Sequence, residues 1–145
     1  MQTQLLAITL GLAGGAAVAL QGPLTSLMSQ RVGTMASVFV VHLGGALLAG
    51  MLLVALGGER LHAWRSVPWY CLVAGALGLV GLSAISYAIS RIGAVATITL
   101  VIAGQLTVSV IVDQFGLLGT AVRPLDLPRL LGIAVLALGA WLILR

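Results

Sequence analysis

Two glutamines lie well inside the long apolar stretches of this 145-residue chain, where polar side chains are costly to bury. Gln21 has Thr25 four residues further on, and Gln105 is followed at the same spacing by Ser109 and Asp113. Residues four apart share one face of a helix, so each group predicts a polar row. Such a row either hydrogen-bonds a small molecule in a cavity or bonds a neighbouring helix. We expect Gln105 to face a cavity, and both interpretations stay open for Gln21.

Three more side chains within or at the ends of these stretches have functional alternatives. His42 either carries protons or packs against another helix, and packing is favoured. Tyr87 either contacts a substrate or anchors the helix at the membrane interface. Asp113 either caps the end of its helix, titrates protons in ion coupling or pairs with a cation, and the cap is favoured.

The tripeptide Gln21-Gly22-Pro23 predicts a bend and not a helix end, because the apolar run resumes directly after it. Pro23 lacks the N–H that would bond the Ala19 carbonyl, which leaves an acceptor at membrane depth. Small residues on the same helix would let another helix approach closely. This stripe consists of Gly15, Ala19, Gly22, Ser26 and Ser29.

The composition of the chain indicates that these residues belong to a membrane protein. Hydrophobic residues make up 61% of the chain and charged residues 7%, far from the balance of a soluble domain. Long uncharged runs without polar–apolar alternation predict helices and not barrel strands. We expect an all-α membrane protein with a single transmembrane domain over residues 1–145. Its five predicted spans are 5–28, 34–56, 68–89, 94–112 and 127–144.

Few chemistries fit this residue set. His42, His62 and Cys71 are isolated, without metal-ligand spacing, and a chain without lysine has no phosphate-binding Walker loop. We therefore expect no metal, no cofactor and no enzymatic activity. The net charge of +4 is spread over loop arginines, which argues against a nucleic-acid partner.

Two short segments resemble each other, RVGTMASV at 31–38 and RIGAVATI at 91–98. This similarity suggests that the first helical hairpin is repeated as helices three and four. The arginines give little preference for either orientation in the membrane, since three are predicted on one side of the membrane and four on the other. Dual topology with an antiparallel homodimer, an inverted repeat, is favoured over a fixed topology.

Three stretches together resemble the YdcZ-like branch of the drug/metabolite transporter superfamily: LQGPLTSLMSQRVG, VIAGQLTVSVIVDQFGLLG and RPLDLPRLLGIAVLALGAWLI. The resemblance implies a five-helix protein of the bacterial inner membrane, with helices one to four around a central cavity. Gln21, Gly22 and Pro23 match the first-helix motif, and Gln105 and Asp113 the fourth-helix motif. Related small multidrug resistance proteins exchange protons through a first-helix Glu. This chain has no acid there, so that mechanism does not transfer.

The expected function is a small secondary transporter that moves a small polar or amphiphilic metabolite or drug by alternating access in a dimer. The partners would be a second copy or close paralogue, membrane lipids and the substrate. Two alternatives are a passive dual-topology channel and a non-transporting membrane assembly subunit. The residues expected to contact substrate are Gln21, Gln105, Thr25, Ser109, Tyr87 and His42, with Asp113 and His42 as candidates for proton or ion coupling.

Overall fold

The computed structural model describes residues 1–58 and 60–145, and the regular secondary structure of this part of the chain is entirely helical, without a β-strand. Short 3₁₀ segments precede the third α-helix, at Leu61–Ser66 and Trp69–Val73, and one follows the fourth, at Leu117–Gly119. The all-α prediction is confirmed. The five α-helices are α1 (Gln2–Val32), α2 (Thr34–Ala55), α3 (Ala74–Ile92), α4 (Ala94–Phe115) and α5 (Leu127–Leu144).

Five helical segments are long and apolar enough to cross a membrane, the third of them running from Trp69 to Ile92. Each coincides with one predicted span to within a few residues. α1 extends over 31 residues, more than the roughly 20 that a bilayer requires, and continues through Pro23. Pro128 stands in the first turn of α5, whereas Pro68 precedes a 3₁₀ segment and not an α-helical turn.

The chain falls into two compact units, Met1–Ser90 and Arg91–Arg145. The single transmembrane domain over residues 1–145 stays a prediction. Large apolar side chains on all five helices are exposed, which suits surfaces that face acyl chains. Hydroxyl side chains form most of the buried set among the described residues, beside the apolar Val38 and Leu82. Helices in a membrane pack through such small residues.

The two similar segments contain turns of one residue each, because Gly33 alone separates α1 from α2 and Gly93 alone separates α3 from α4. Gly33 has φ 87° and ψ 157°, and Gly93 has φ 83° and ψ 166°. This region is essentially restricted to glycine. Each glycine carbonyl accepts the N–H of the residue four positions later, from Ser37 at 3.1 Å and from Thr97 at 3.2 Å.

Alanine at either turn should therefore destabilise the protein. We expect Gly33→Ala and Gly93→Ala each to lower the free energy of unfolding by about 1–3 kcal/mol, because a Cβ is strained at these angles. The matched control is Gly104→Ala on α4, where an added Cβ meets nothing within 4 Å. The control should leave stability unchanged or raise it slightly, since alanine is the better helix former. Unfolding of the purified protein in detergent measures all three, and equal effects would contradict the prediction.

Candidate functional site

The face of α1 beside Gln21 is closely packed against α3. Gly22, Thr25 and Ser26 are buried, while the Gln21 side chain is exposed. A Cβ added at Gly22 would lie 2.9 Å from Ile85 Cγ2 and 2.9 Å from Ile89 Cδ1. The absence of a side chain at Gly22 therefore allows α3 to approach at this level. Gly15, in the predicted stripe, has nothing within 4 Å of such a Cβ, so only the later part of the stripe packs within the chain.

The hydroxyls on this face bond mainly within the protein. Thr25 is fully buried, and its Oγ1 donates to the Gln21 carbonyl at 2.8 Å. Ser29 Oγ donates to the Ser26 carbonyl at 2.8 Å and accepts from Ser86 Oγ of α3 at 3.1 Å. Ser26 Oγ is buried without a hydrogen-bond partner. This part of α1 thus presents the Gln21 amide from a wall whose hydroxyls are largely occupied.

His42 is an exposed residue of α2. Its Nδ1 is 2.9 Å from the Val38 carbonyl one turn earlier. A carbonyl oxygen only accepts, so Nδ1 carries a proton in this hydrogen bond. Nε2 is 3.5 Å from the position that a Cβ of Gly78 would take. The geometry is that of a hydrogen-bonded histidine packed on a glycine.

Tyr87 lies further along α3, with its side chain exposed. Its carbonyl accepts the hydroxyl of Ser90 at 2.7 Å, so Ser90 bonds back to its own helix as expected. Ser86 is fully buried in the contact with Ser29 described above. The serines at this end of α3 are therefore structural.

On α4, the predicted row separates into two environments. Ser109 and Asp113 line a cavity of about 280 Å³ between α4 and α5, and Gln105 is exposed outside its lining. The reason is that each step of four residues advances about 40° around a helix, so the row drifts towards α5 as it approaches Asp113. Gln21 belongs to the first compact unit and Gln105 to the second, and a common site for them stays a prediction.

Asp113 belongs to a bonded cluster at the end of α4. Its carboxylate Oδ2 is 3.7 Å from Arg129 Nη1 of α5, and both side chains are partly exposed. The same Nη1 donates to the Arg123 carbonyl at 3.0 Å, while the Arg123 N–H donates to the Asp113 carbonyl at 2.8 Å. Asp113 therefore forms a cation pair at the helix end, one of the alternatives considered above.

The cap of α5 is Asp126, whose Oδ1 accepts the Arg129 N–H at 2.9 Å. Sequence analysis did not select Asp126 or Arg129 as site residues. The signal for the cap was nonetheless present, because an Asp that precedes an apolar run, with Pro128 two positions later, is a typical helix start.

The connection between α4 and α5 is also tightly specified. α4 ends at Gly116 in the left-handed region, with φ 59° and ψ 35°. A Cβ there would lie 2.6 Å from Val122 Cγ2. Gln114 Oε1 accepts the Leu125 N–H at 2.8 Å. Residues 113–126 thus begin as helix, pass through one 3₁₀ turn and continue in non-helical conformation to the cap.

The arrangement of five apolar, membrane-length helices with few ionisable groups defines a multi-pass membrane protein. The chain belongs to the YdcZ family: the family described as "Putative inner membrane exporter, YdcZ" matches residues 6–142. This confirms the resemblance, indicates a membrane transporter and agrees with the expectation of a non-enzyme. Among curated proteins and among solved structures, none is significantly similar to this chain.

The contact at Gly22 gives a sharp test of the α1 face. We expect Gly22→Val to lower the free energy of unfolding by about 1–3 kcal/mol more than Gly104→Val on α4, because only the first overpacks the helix contact. Both variants place the same β-branched residue inside an α-helix, so the cost in helix propensity cancels. Thermal unfolding of both purified variants in one detergent is the measurement. Equal destabilisation would show that the contact with Ile85 and Ile89 does not constrain α1.

Proposed function

We propose that this chain is a secondary transporter of the bacterial inner membrane that moves a small polar or amphiphilic metabolite or drug by alternating access in an antiparallel dimer. The observation that carries the proposal is the YdcZ exporter family match over residues 6–142. The polar groups available for a substrate are mainly neutral. Gln21 and Gln105 offer exposed amides on two apolar helices, and the exposed Tyr87 side chain stays a second-tier candidate for substrate contact.

The environment of Gln21 favours a role in binding. The Gly22 contact and the Ser29–Ser86 hydrogen bond fix the neighbouring face of α1 against α3, so the Gln21 amide projects from a rigid surface. A rigid backbone under the amide lowers the entropy that is lost when a polar ligand binds. Pro23, two residues after Gln21, withdraws one backbone donor from the helix. Thr25 shapes this wall, since its hydroxyl is directed to the Gln21 carbonyl.

The charge distribution favours a substrate that need not be cationic. α1 contains no carboxylate, and the Asp113 carboxylate at the end of α4 lies beside Arg129. A carboxylate paired in this way has less attraction left for a substrate cation. Asp113 and His42 remain the candidates for coupling to protons or ions. For either to act, Asp113 would release Arg129, or His42 Nε2 would take up a proton.

Two observations support the dimer of repeated hairpins. The turns at Gly33 and Gly93 have the same backbone conformation and the same N–H to glycine carbonyl bond. Glycines on α1 and α2 leave room for the backbone of another helix, as membrane helix contacts require. Those with nothing within 4 Å of an added Cβ are Gly11, Gly14, Gly15, Gly44 and Gly45.

Transport assays with the two glutamines test the proposed function. Once a ligand screen has supplied a substrate, proteoliposomes should show saturable flux, reduced about tenfold or more by Gln21→Ala or Gln105→Ala because a buried hydrogen bond to the ligand is lost. The matched control is Gln30→Ala, an exposed amide in the last turns of α1. Dimer content should not change. Non-saturable conductance would indicate a channel instead, and retention of every solute an assembly subunit.

The topology claim has a separate measurement. We expect tags on the two termini to be accessible from both sides of the membrane in comparable amounts, because the arginine count differs by only one between the predicted sides. Adding two arginines to the turn at Gly33 should shift the population towards one orientation. A wild-type chain with a single orientation would refute the antiparallel homodimer.

A further inference from the structure

A second, larger cavity continues from the one at Asp113 and lies wholly between α4 and α5. It has a volume of about 690 Å³ and an almost entirely apolar lining that reaches from Thr99 to Val110 on α4 and to Ile143 on α5. The two cavities share Leu106, Val110, Leu125, Ile133 and Leu136 in their linings. They therefore form one groove, here named the α4–α5 groove, with a polar end and a long apolar end.

The polar end has a cation that the protein does not neutralise. Arg123, Arg129 and Asp113 line it. The Arg129 guanidinium is engaged by Asp113 and by the Arg123 carbonyl. Within residues 1–58 and 60–145, the Arg123 guanidinium has no such partner. Asp126 lies outside the lining, and its carboxylate caps α5. An anionic group at this end would therefore meet an available guanidinium, the residue type best suited to phosphate.

The dimensions suit an acyl chain. From Asp113 back to Thr99 the groove follows α4 for about 21 Å, given a rise of about 1.5 Å per residue. One leaflet of the hydrocarbon core is about 15 Å deep, so the groove as a whole is longer than one leaflet is deep. Small residues on both helices, among them Ala103 and Gly139, keep the groove wide. A Cβ added at Gly139 would meet nothing within 4 Å.

We propose that the α4–α5 groove is a binding site for an anionic phospholipid, with one acyl chain between the helices and the phosphate beside Arg123. Charge complementarity at the polar end selects this occupant over a neutral lipid, and the apolar length selects it over a free anion. The proposal does not rest on the proposed transport function, because it involves neither Gln21 nor Gln105 and is read out as binding.

Native mass spectrometry of the delipidated full chain tests the site directly. Dioleoyl phosphatidylglycerol should bind with a discrete first equivalent at least fivefold tighter than dioleoyl phosphatidylcholine. Arg123→Gln should weaken that first equivalent about fivefold, the effect of one arginine at a lipid surface. The matched control is Arg65→Gln, because Arg65 is an exposed arginine of the first 3₁₀ segment that stacks on Trp64 outside the groove. Arg65→Gln should change the affinity for the first phosphatidylglycerol by less than twofold.

A second variant tests the apolar end. Gly139→Leu fills space that the structure leaves empty and should weaken phosphatidylglycerol binding without removing a charge. Competition with glycerophosphoglycerol and with inorganic phosphate tests whether the headgroup alone is sufficient for binding. Neither compound, at the concentration used for the lipid, should displace phosphatidylglycerol. Four results would overturn the proposal: equal binding of both lipids, equal effects of Arg123→Gln and Arg65→Gln, unchanged binding to Gly139→Leu, or competition by either free anion.

Discussion

Backbone hydrogen bonding in hydrocarbon is the constraint on which this structure depends. Where water is absent, each N–H and C=O needs a partner from the protein, so the chain is helical wherever its composition is apolar. At Gly33 and at Gly93 the chain leaves the α-helical conformation for a single residue and returns at once to helix. Even the threonine and serine hydroxyls follow the rule, since Thr25 and Ser29 direct their protons to carbonyls of their own helix.

Close helix contacts in this setting come from small residues and not from a large apolar core. Val38 and Leu82 are buried beside several hydroxyl side chains, while the leucines that dominate the composition face outward. Gly22 illustrates the need for small residues at a helix contact, because any larger residue there would meet Ile85 and Ile89. The few polar contacts between helices, such as that of Ser29 with Ser86, therefore fix the helices in register.

The helices could be predicted from the sequence because apolar run length alone determines them, and glycine and proline delimit them. Pro23 inside α1 was also interpreted correctly as interrupting no helix. The cluster around Asp113 could not be predicted in detail. Its partner Arg129 is brought near by the backbone path through Gly116 and the 3₁₀ turn, and spacing in the sequence does not encode that path. The role of the Gln21 and Gln105 amides depends on a ligand and a second copy, which no contact within one chain reveals.

The single-residue turn at Gly33 also determines how α1 is able to move. With the last residue of α1 and the first of α2 only two positions apart, these ends stay together whatever the rest of the pair does. Any separation of the two helices must therefore be an angular one that pivots at Gly33, small at that membrane face and largest near Gln2 and Ala55. In the alternating access proposed above, an opening between α1 and α2 would serve one side of the bilayer. Access from the opposite side would then need a different pair of helices.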